Sequence, residues 1–148
     1  MKKQGEGGFL LSRVHHLSGR LLAKKLREHN VEINPSQGKI MFVLWREDGI
    51  SISELARQTS LGKSTLTSML DRLEKMGYLR RVRSNQDRRE ILIERTEKDM
   101  SWQEAYMQVS REIADVYYAG FSGKEIEQFE DYLRRILQNL SEVEQEEA

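Results

Sequence analysis

The chain of 148 residues is 38% hydrophobic and 32% charged with 1 Pro and 10 Gly, a balance that predicts one small domain with helical arms, few loops and many solvated helix faces. Its 24 basic and 24 acidic side chains cancel, and the lack of cysteine excludes disulfides, thiolate metal sites, a thiol nucleophile and cysteine-based peroxide sensing within these residues. The longest apolar run, Ile40 to Trp45, falls far short of the roughly 20 residues of a membrane helix, and Lys2 and Lys3 precede only Phe9, Leu10 and Leu11; no signal peptide or span is expected, and the expected compartment is the cytoplasm.

Leu10, Val14, Leu17 and Leu21, flanked by Leu11, Leu22 and Leu26, recur at spacings of three and four and predict an amphipathic helix from about Phe9 to Glu28. Asn34 before Pro35 is a cap followed by a proline at the first helical position, and the run Ile40 to Trp45 reads as a helix buried on most sides and ended by Gly49. Ser51 caps a short helix with Ile52, Leu55 and Ala56 inward. A turn at Ser60, Leu61 and Gly62 leads to a longer helix, about Lys63 to Lys75, with Leu66, Met69, Leu70, Leu73 and Met76 inward and Gly77 as its stop. Short helix, tight turn, longer helix is the helix-turn-helix pattern.

Beyond Gly77 the period changes. Tyr78, Val82, Ile91 and Ile93 alternate with charged residues on either side of Ser84-Asn85-Gln86-Asp87, which predicts a two-stranded hairpin at 78–83 and 90–95. Thr96 caps a long helix carrying Met100, Trp102, Tyr106, Val109, Ile113 and Tyr117. After Gly120-Phe121, the capping box Ser122-Gly123-Lys124-Glu125 opens a last helix with Ile126, Phe129, Leu133, Ile136, Leu137 and Leu140 on its apolar face. The expected fold is mainly α with a small two-stranded β wing; the apolar arms at the two ends are free to pack on the middle or on a second copy.

The zero net charge hides a segregation. Residues 62–95 carry 9 basic and 5 acidic side chains, whereas 96–148 carry 5 and 13 and end in Glu142, Glu144, Glu146 and Glu147. A phosphate backbone would meet the basic middle, with the acidic helices held away. On a wheel of 100° per residue, Ser64, Thr67, Ser68, Asp71, Arg72 and Lys75 lie opposite Leu66, Leu70 and Leu73. Such a face reads in two ways: as plain solvated surface, or as small hydroxyls that let a helix enter a groove and bond to base edges, with Lys63 and Arg72 as phosphate anchors. The helix-turn-helix setting favours the second. Arg80, Arg81, Arg83, Arg88 and Arg89 crowd the hairpin within ten residues, a density that repels itself unless an anion balances it. A wing of this kind lies along the DNA backbone and places an arginine in the minor groove, while Asp87 would orient a neighbouring guanidinium as an ion pair.

The runs Ile52-Ser53-Glu54-Leu55-Ala56, Lys63-Ser64-Thr65-Leu66-Thr67, Asp71-Arg72-Leu73-Glu74-Lys75-Met76-Gly77-Tyr78-Leu79-Arg80-Arg81 and Asp87-Arg88-Arg89 resemble the multiple-antibiotic-resistance regulator (MarR) family, closely over residues 35–96 and in outline over the arms. The resemblance implies a homodimeric winged helix-turn-helix repressor of double-stranded DNA. It divides the chain into an N-terminal dimerisation helix (1–34), the DNA-binding domain (35–95) and C-terminal dimerisation helices (96–148), and implies a small phenolic or anionic effector entering a cleft between the layers. Carried over by position, Ser64, Thr65, Thr67, Ser68 and Arg72 are groove and phosphate contacts, and Arg88 and Arg89 the wing. The family's leucine, threonine, two residues and glycine after the second wing strand is here Arg95-Thr96-Glu97-Lys98-Asp99.

No phosphate loop or nucleophile elbow is present, so no enzyme and no cofactor are expected. Adjacent on a helix, His15 and His16 point 100° apart and cannot both ligate one metal without another element, no histidine lies beyond His29, and a metal-dependent sensor is the weakest reading. Trp45, Trp102, Tyr106, Tyr117 and Tyr118 fit core packing better than a ligand cleft. The rival from another class is a protein-interaction module on the same winged fold.

Overall fold

The structure, a computed structural model, describes residues 5–147 and, within them, the side chains of all but 99–101. Lys2, Lys3 and the side chain of Met100 thus lie outside the described residues. Among these residues the chain forms α1 (Gly7–Glu28), α2 (Pro35–Arg46), β1 (Ile50–Ser51), α3 (Ile52–Thr59), α4 (Lys63–Lys75), β2 (Leu79–Arg83), β3 (Ile91–Arg95), a 3-10 turn (Glu97–Asp99), α5 (Met100–Tyr117) and α6 (Gly123–Glu147). Two compact units divide between Arg111 and Glu112.

Local chemistry sets the boundaries of the first unit. Asn34 Oδ1 accepts from the Gln37 N–H at 2.8 Å and Gln37 Oε1 from the Asn34 N–H at 3.0 Å, a reciprocal box that starts α2 with Pro35 in its first turn. Ser51 Oγ accepts from the Glu54 N–H at 3.1 Å and starts α3. Gly77, at φ +84°, turns the chain out of α4; its N–H donates to Glu74 O at 2.9 Å and that of Tyr78 to Leu73 O at 3.0 Å. That pair of bonds needs a left-handed residue at this position, which glycine adopts without a Cβ penalty.

The sheet is antiparallel in the order β1-β3-β2, with Leu79 opposite Arg95 and Arg83 opposite Ile91. The hairpin stands where alternation placed it, one residue shorter on each strand, but the sheet has a third strand that the sequence reading lacked. Ile50 pairs with Ile93 and Ser51 with Leu92. Two residues are too few to show alternation, and Ser51 had already been given a role as the cap of α3.

Leu26, Ile40, Met41, Leu44, Leu55, Leu66, Leu70, Leu73, Leu79, Ile93 and Val109 are fully buried and form the core of this unit. Trp45, Tyr78, Trp102 and Tyr106 extend it as an edge-to-face cluster with ring centroids 5.2 to 6.3 Å apart. Trp45, Trp102 and Tyr106 are therefore packing residues. In the second unit Tyr118 is the hub: its hydroxyl donates to Glu130 Oε2 at 2.8 Å, and its ring lies 5.9 Å from Phe121 and 6.2 Å from Phe129. Ser122 and Glu125 form the foreseen capping box at the start of α6.

The ends of the chain leave apolar side chains uncovered. Phe9, Leu10, Val14 and Leu17 on α1 are exposed, as are Ile136, Leu137, Leu140 and Val143 on α6, with Phe9 at 66% and Leu140 at 63%. No described helix is long and apolar enough to cross a membrane.

Candidate nucleic-acid interface

The turn between α3 and α4 is built from within. Thr59 is buried, its Oγ1 donating to Leu55 O at 2.7 Å and accepting from the Leu61 N–H at 3.4 Å. Ser60 then takes a left-handed conformation at φ +58°, reversing the chain so that α4 leaves α3 at once. On α3, Arg57 and Gln58 both donate to Glu54, whose carboxyl is held down to about 2, first by the Arg57 bond and then by that of Gln58.

With Leu66, Leu70 and Leu73 anchored in the core, α4 turns Lys63, Ser64, Thr65, Thr67, Ser68, Asp71, Arg72 and Lys75 to solvent, so each reading-helix residue foreseen from sequence is exposed. Thr67 is partly committed: its hydroxyl donates to Lys63 O at 2.9 Å, so its oxygen faces outward as an acceptor. Gly62 gives the helix no side-chain cap, which leaves the first-turn N–H groups available to an anion.

The five hairpin arginines separate into two groups. Arg80 Nε reaches Glu94 across the strands at 3.2 Å, Arg81 binds Asp71 and Glu74 of α4, and Arg83 Nη1 donates to Arg88 O at 3.2 Å. Among the described residues the guanidinium groups of Arg88 and Arg89 meet no carboxylate, and both are exposed at the tip. The tip itself is folded: Ser84 Oγ accepts from the N–H groups of Gln86 and Asp87 at 3.2 and 3.3 Å, and the Ser84 N–H donates to Glu90 O at 3.0 Å. Asp87 differs from expectation. Its Oδ1 accepts from the backbone N–H of Arg89 at 3.0 Å, so it fixes the turn rather than orienting a guanidinium. Sequence reasoning also missed the pairing of Arg81 with α4, since residues ten apart become neighbours only once the strand folds back.

Between wing and helix lies a groove of about 530 Å³ with Ile52, Ala56, Leu66 and Ile91 as apolar walls and Lys63, Arg89 and Glu90 as its charged lining residues. No group of three or more acidic or histidine side chains suited to a metal occurs among the described residues. His15 and His16 lie exposed on α1.

The fold is a winged helix-turn-helix, with the hydroxyls and cations of α4 and the tip arginines of the wing exposed. Residues 33–91, from just before α2 to the start of β3, match the MarR family model. Over 90 residues it is 36% identical to the HTH-type transcriptional regulator TtmR of Methylorubrum extorquens (strain PA1), a match covering 61% of this chain but 45% of that protein, less than half its length. To the organic hydroperoxide resistance transcriptional regulator of Bacillus subtilis (strain 168) it is 28% identical over 142 residues, 95% of this chain and 92% of the relative. A MarR mutant from E. coli, solved in complex with operator DNA, superposes with a TM-score of 0.77 at 26% identity over 88% of this chain and 92% of the other. These relatives are named as regulators, not enzymes.

Proposed function

We propose that the chain is a homodimeric, ligand-responsive repressor that acts in the cytoplasm on a pseudo-palindromic operator, with no catalytic activity of its own. The observation that carries this is the exposure of the hydroxyls and Arg72 of α4 and of the unengaged Arg88 and Arg89 of the wing, with Lys63 of α4 and Arg89 lining one groove. Ser64, Thr65, Thr67 and Ser68 read the major groove, Lys63 and Arg72 hold phosphates, and Arg88 and Arg89 follow the neighbouring backbone or minor groove. Residues 35–95 are the DNA-binding part, and the apolar faces of 1–34 and 96–148 are its dimerisation arms. Two-fold symmetry then places half-sites about one helical turn, roughly 10 base pairs, apart.

The groove between wing and helix supports the effector reading: its lining combines apolar walls with Lys63 and Arg89, which outnumber the one carboxylate, Glu90, and a small amphipathic anion there competes with DNA for the two cations. Whatever signal the chain answers to, it is not read by a thiol, because these 148 residues contain no cysteine.

The test is fluorescence anisotropy with duplex from upstream of the chain's own gene, against a scrambled duplex, over a salt series. Specific binding that weakens with salt is expected, and Arg72→Ala and Arg89→Ala should each lower the slope of log K on log salt by about 0.9, one phosphate contact apiece. Equal affinity for both duplexes, or slopes that do not move, would sink the assignment and favour an interaction module.

A further inference from the structure

Arg81 behaves unlike its neighbours. Arg80 forms one exposed ion pair within the hairpin, and such pairs contribute little. The Arg81 side chain is only 26% exposed and spans two elements: Nη1 donates to Glu74 Oε1 at 2.6 Å, Nη2 to Asp71 Oδ1 at 2.8 Å, and its backbone N–H to Glu74 Oε2 at 3.3 Å. One planar guanidinium thus ties β2 to two points, three residues apart, on the flank of α4, a geometry that a lysine ammonium cannot reproduce.

The charges make the arrangement informative. Asp71 stands exposed on the face that α4 turns outward, beside Arg72. A carboxylate facing phosphates opposes binding, so on electrostatic grounds alone Asp71 and Glu74 are a liability to a DNA reader. Their chemistry is consistent with such a reader if they hold something in place, and what they hold is the wing.

We propose that Arg81 is a positioning residue: anchored by Asp71 and Glu74, it fixes the spacing and angle between the reading helix and the wing, and does not itself contact phosphate. This rests on the DNA-binding reading given above and adds what sets its specificity. The two roles predict opposite signs. If Arg81 were a phosphate contact restrained by carboxylates, removing those carboxylates would free it and strengthen binding. If it positions, the same change loosens the wing and costs discrimination between sequences, although the protein has lost negative charge.

The experiment compares wild type, Asp71→Asn/Glu74→Gln, Arg81→Met and, as a phosphate-contact reference, Arg72→Ala. Anisotropy with upstream and scrambled duplex over a salt series gives the preference ratio and the salt slope, and thermal unfolding confirms that each variant is folded. The double variant, altered only at the helix surface, keeps the test available if Arg81→Met fails to fold. The expected result is an about tenfold loss of preference in the double variant, the scale of one misread base pair, with affinity for scrambled duplex equal or higher. Arg81→Met should lose preference with the wild-type salt slope, while Arg72→Ala lowers its slope by about 0.9. A double variant that binds the upstream duplex more tightly or with undiminished preference, or an Arg81→Met slope that falls like that of Arg72→Ala, overturns the proposal and leaves the DNA-binding reading intact. A wild type without preference instead removes that reading and the proposal with it.

Discussion

A methyl group on Gly38 would stand 2.4 Å from Cε2 and 2.6 Å from the hydroxyl of Tyr106. The end of a side chain usually swings away from such a clash, but this ring is buried and wedged edge-on against Trp45 and Trp102, with centroids at 5.3 and 6.3 Å. Gly38→Ala should therefore destabilise the fold by about 1–3 kcal/mol, the usual cost of overpacking, read as a lower denaturant midpoint with an unchanged slope. Burial also raises the Tyr106 hydroxyl above its ordinary pKa, so the ring stays neutral and apolar through the physiological range. At this same scale the arginines divide by partner: Arg80, Arg81 and Arg83 are engaged within the protein, whereas the guanidinium groups of Arg88 and Arg89 at the tip meet no carboxylate among the described residues.

Elements whose limits are set by local chemistry were legible in the sequence. The start of α2 at Asn34-Pro35 and the starts of α3 and α6 follow from caps that a linear reading detects, and each cap bond is present. Asn34→Ala removes the acceptor for the Gln37 N–H, and a loss of about 1 kcal/mol in thermal or chemical unfolding is the expected outcome. What the sequence could not convey depends on contacts between distant positions. Strand β1 exists because Ile50 and Ser51 find Ile93 and Leu92, more than forty residues away. The junction after β3, where Arg95-Thr96-Glu97-Lys98-Asp99 departs from the family pattern, is held by such contacts as well: the Thr96 N–H donates to Tyr78 O at 2.9 Å, Thr96 Oγ1 donates to Gly77 O, and Lys98 Nζ to Met76 O. For the candidate site, the exposed face of α4 was readable from a helical wheel, whereas the division of labour among the hairpin arginines was not, because it turns on which carboxylates fold beside them.

At the scale of the molecule, chemistry is segregated along the chain. The basic segment 62–95 contains both α4 and the wing, and the acidic segment 96–148 contains α6, which buries none of its residues. A helix of 25 residues that exposes Ile136, Leu137, Leu140 and Val143 does not keep that face in water by itself. Leu137→Glu/Leu140→Glu should shift the chain from dimer to monomer in sedimentation velocity at micromolar concentration. Operator affinity should fall steeply in parallel, since one reading head then grips one half-site. A wild type that sediments as a monomer would remove the two-fold mechanism.

The tip of the wing carries a consequence for the thermodynamics of recognition. Ser84, Asp87 and the carbonyl of Arg88 already tie the turn that presents Arg88 and Arg89, and β1 ends in the very serine that caps α3. A loop folded in advance has little conformational entropy left to lose when it meets a phosphate backbone. In the proposed complex its arginines would surrender side-chain freedom only, and the free energy of counterion release would go into affinity instead of into ordering the chain.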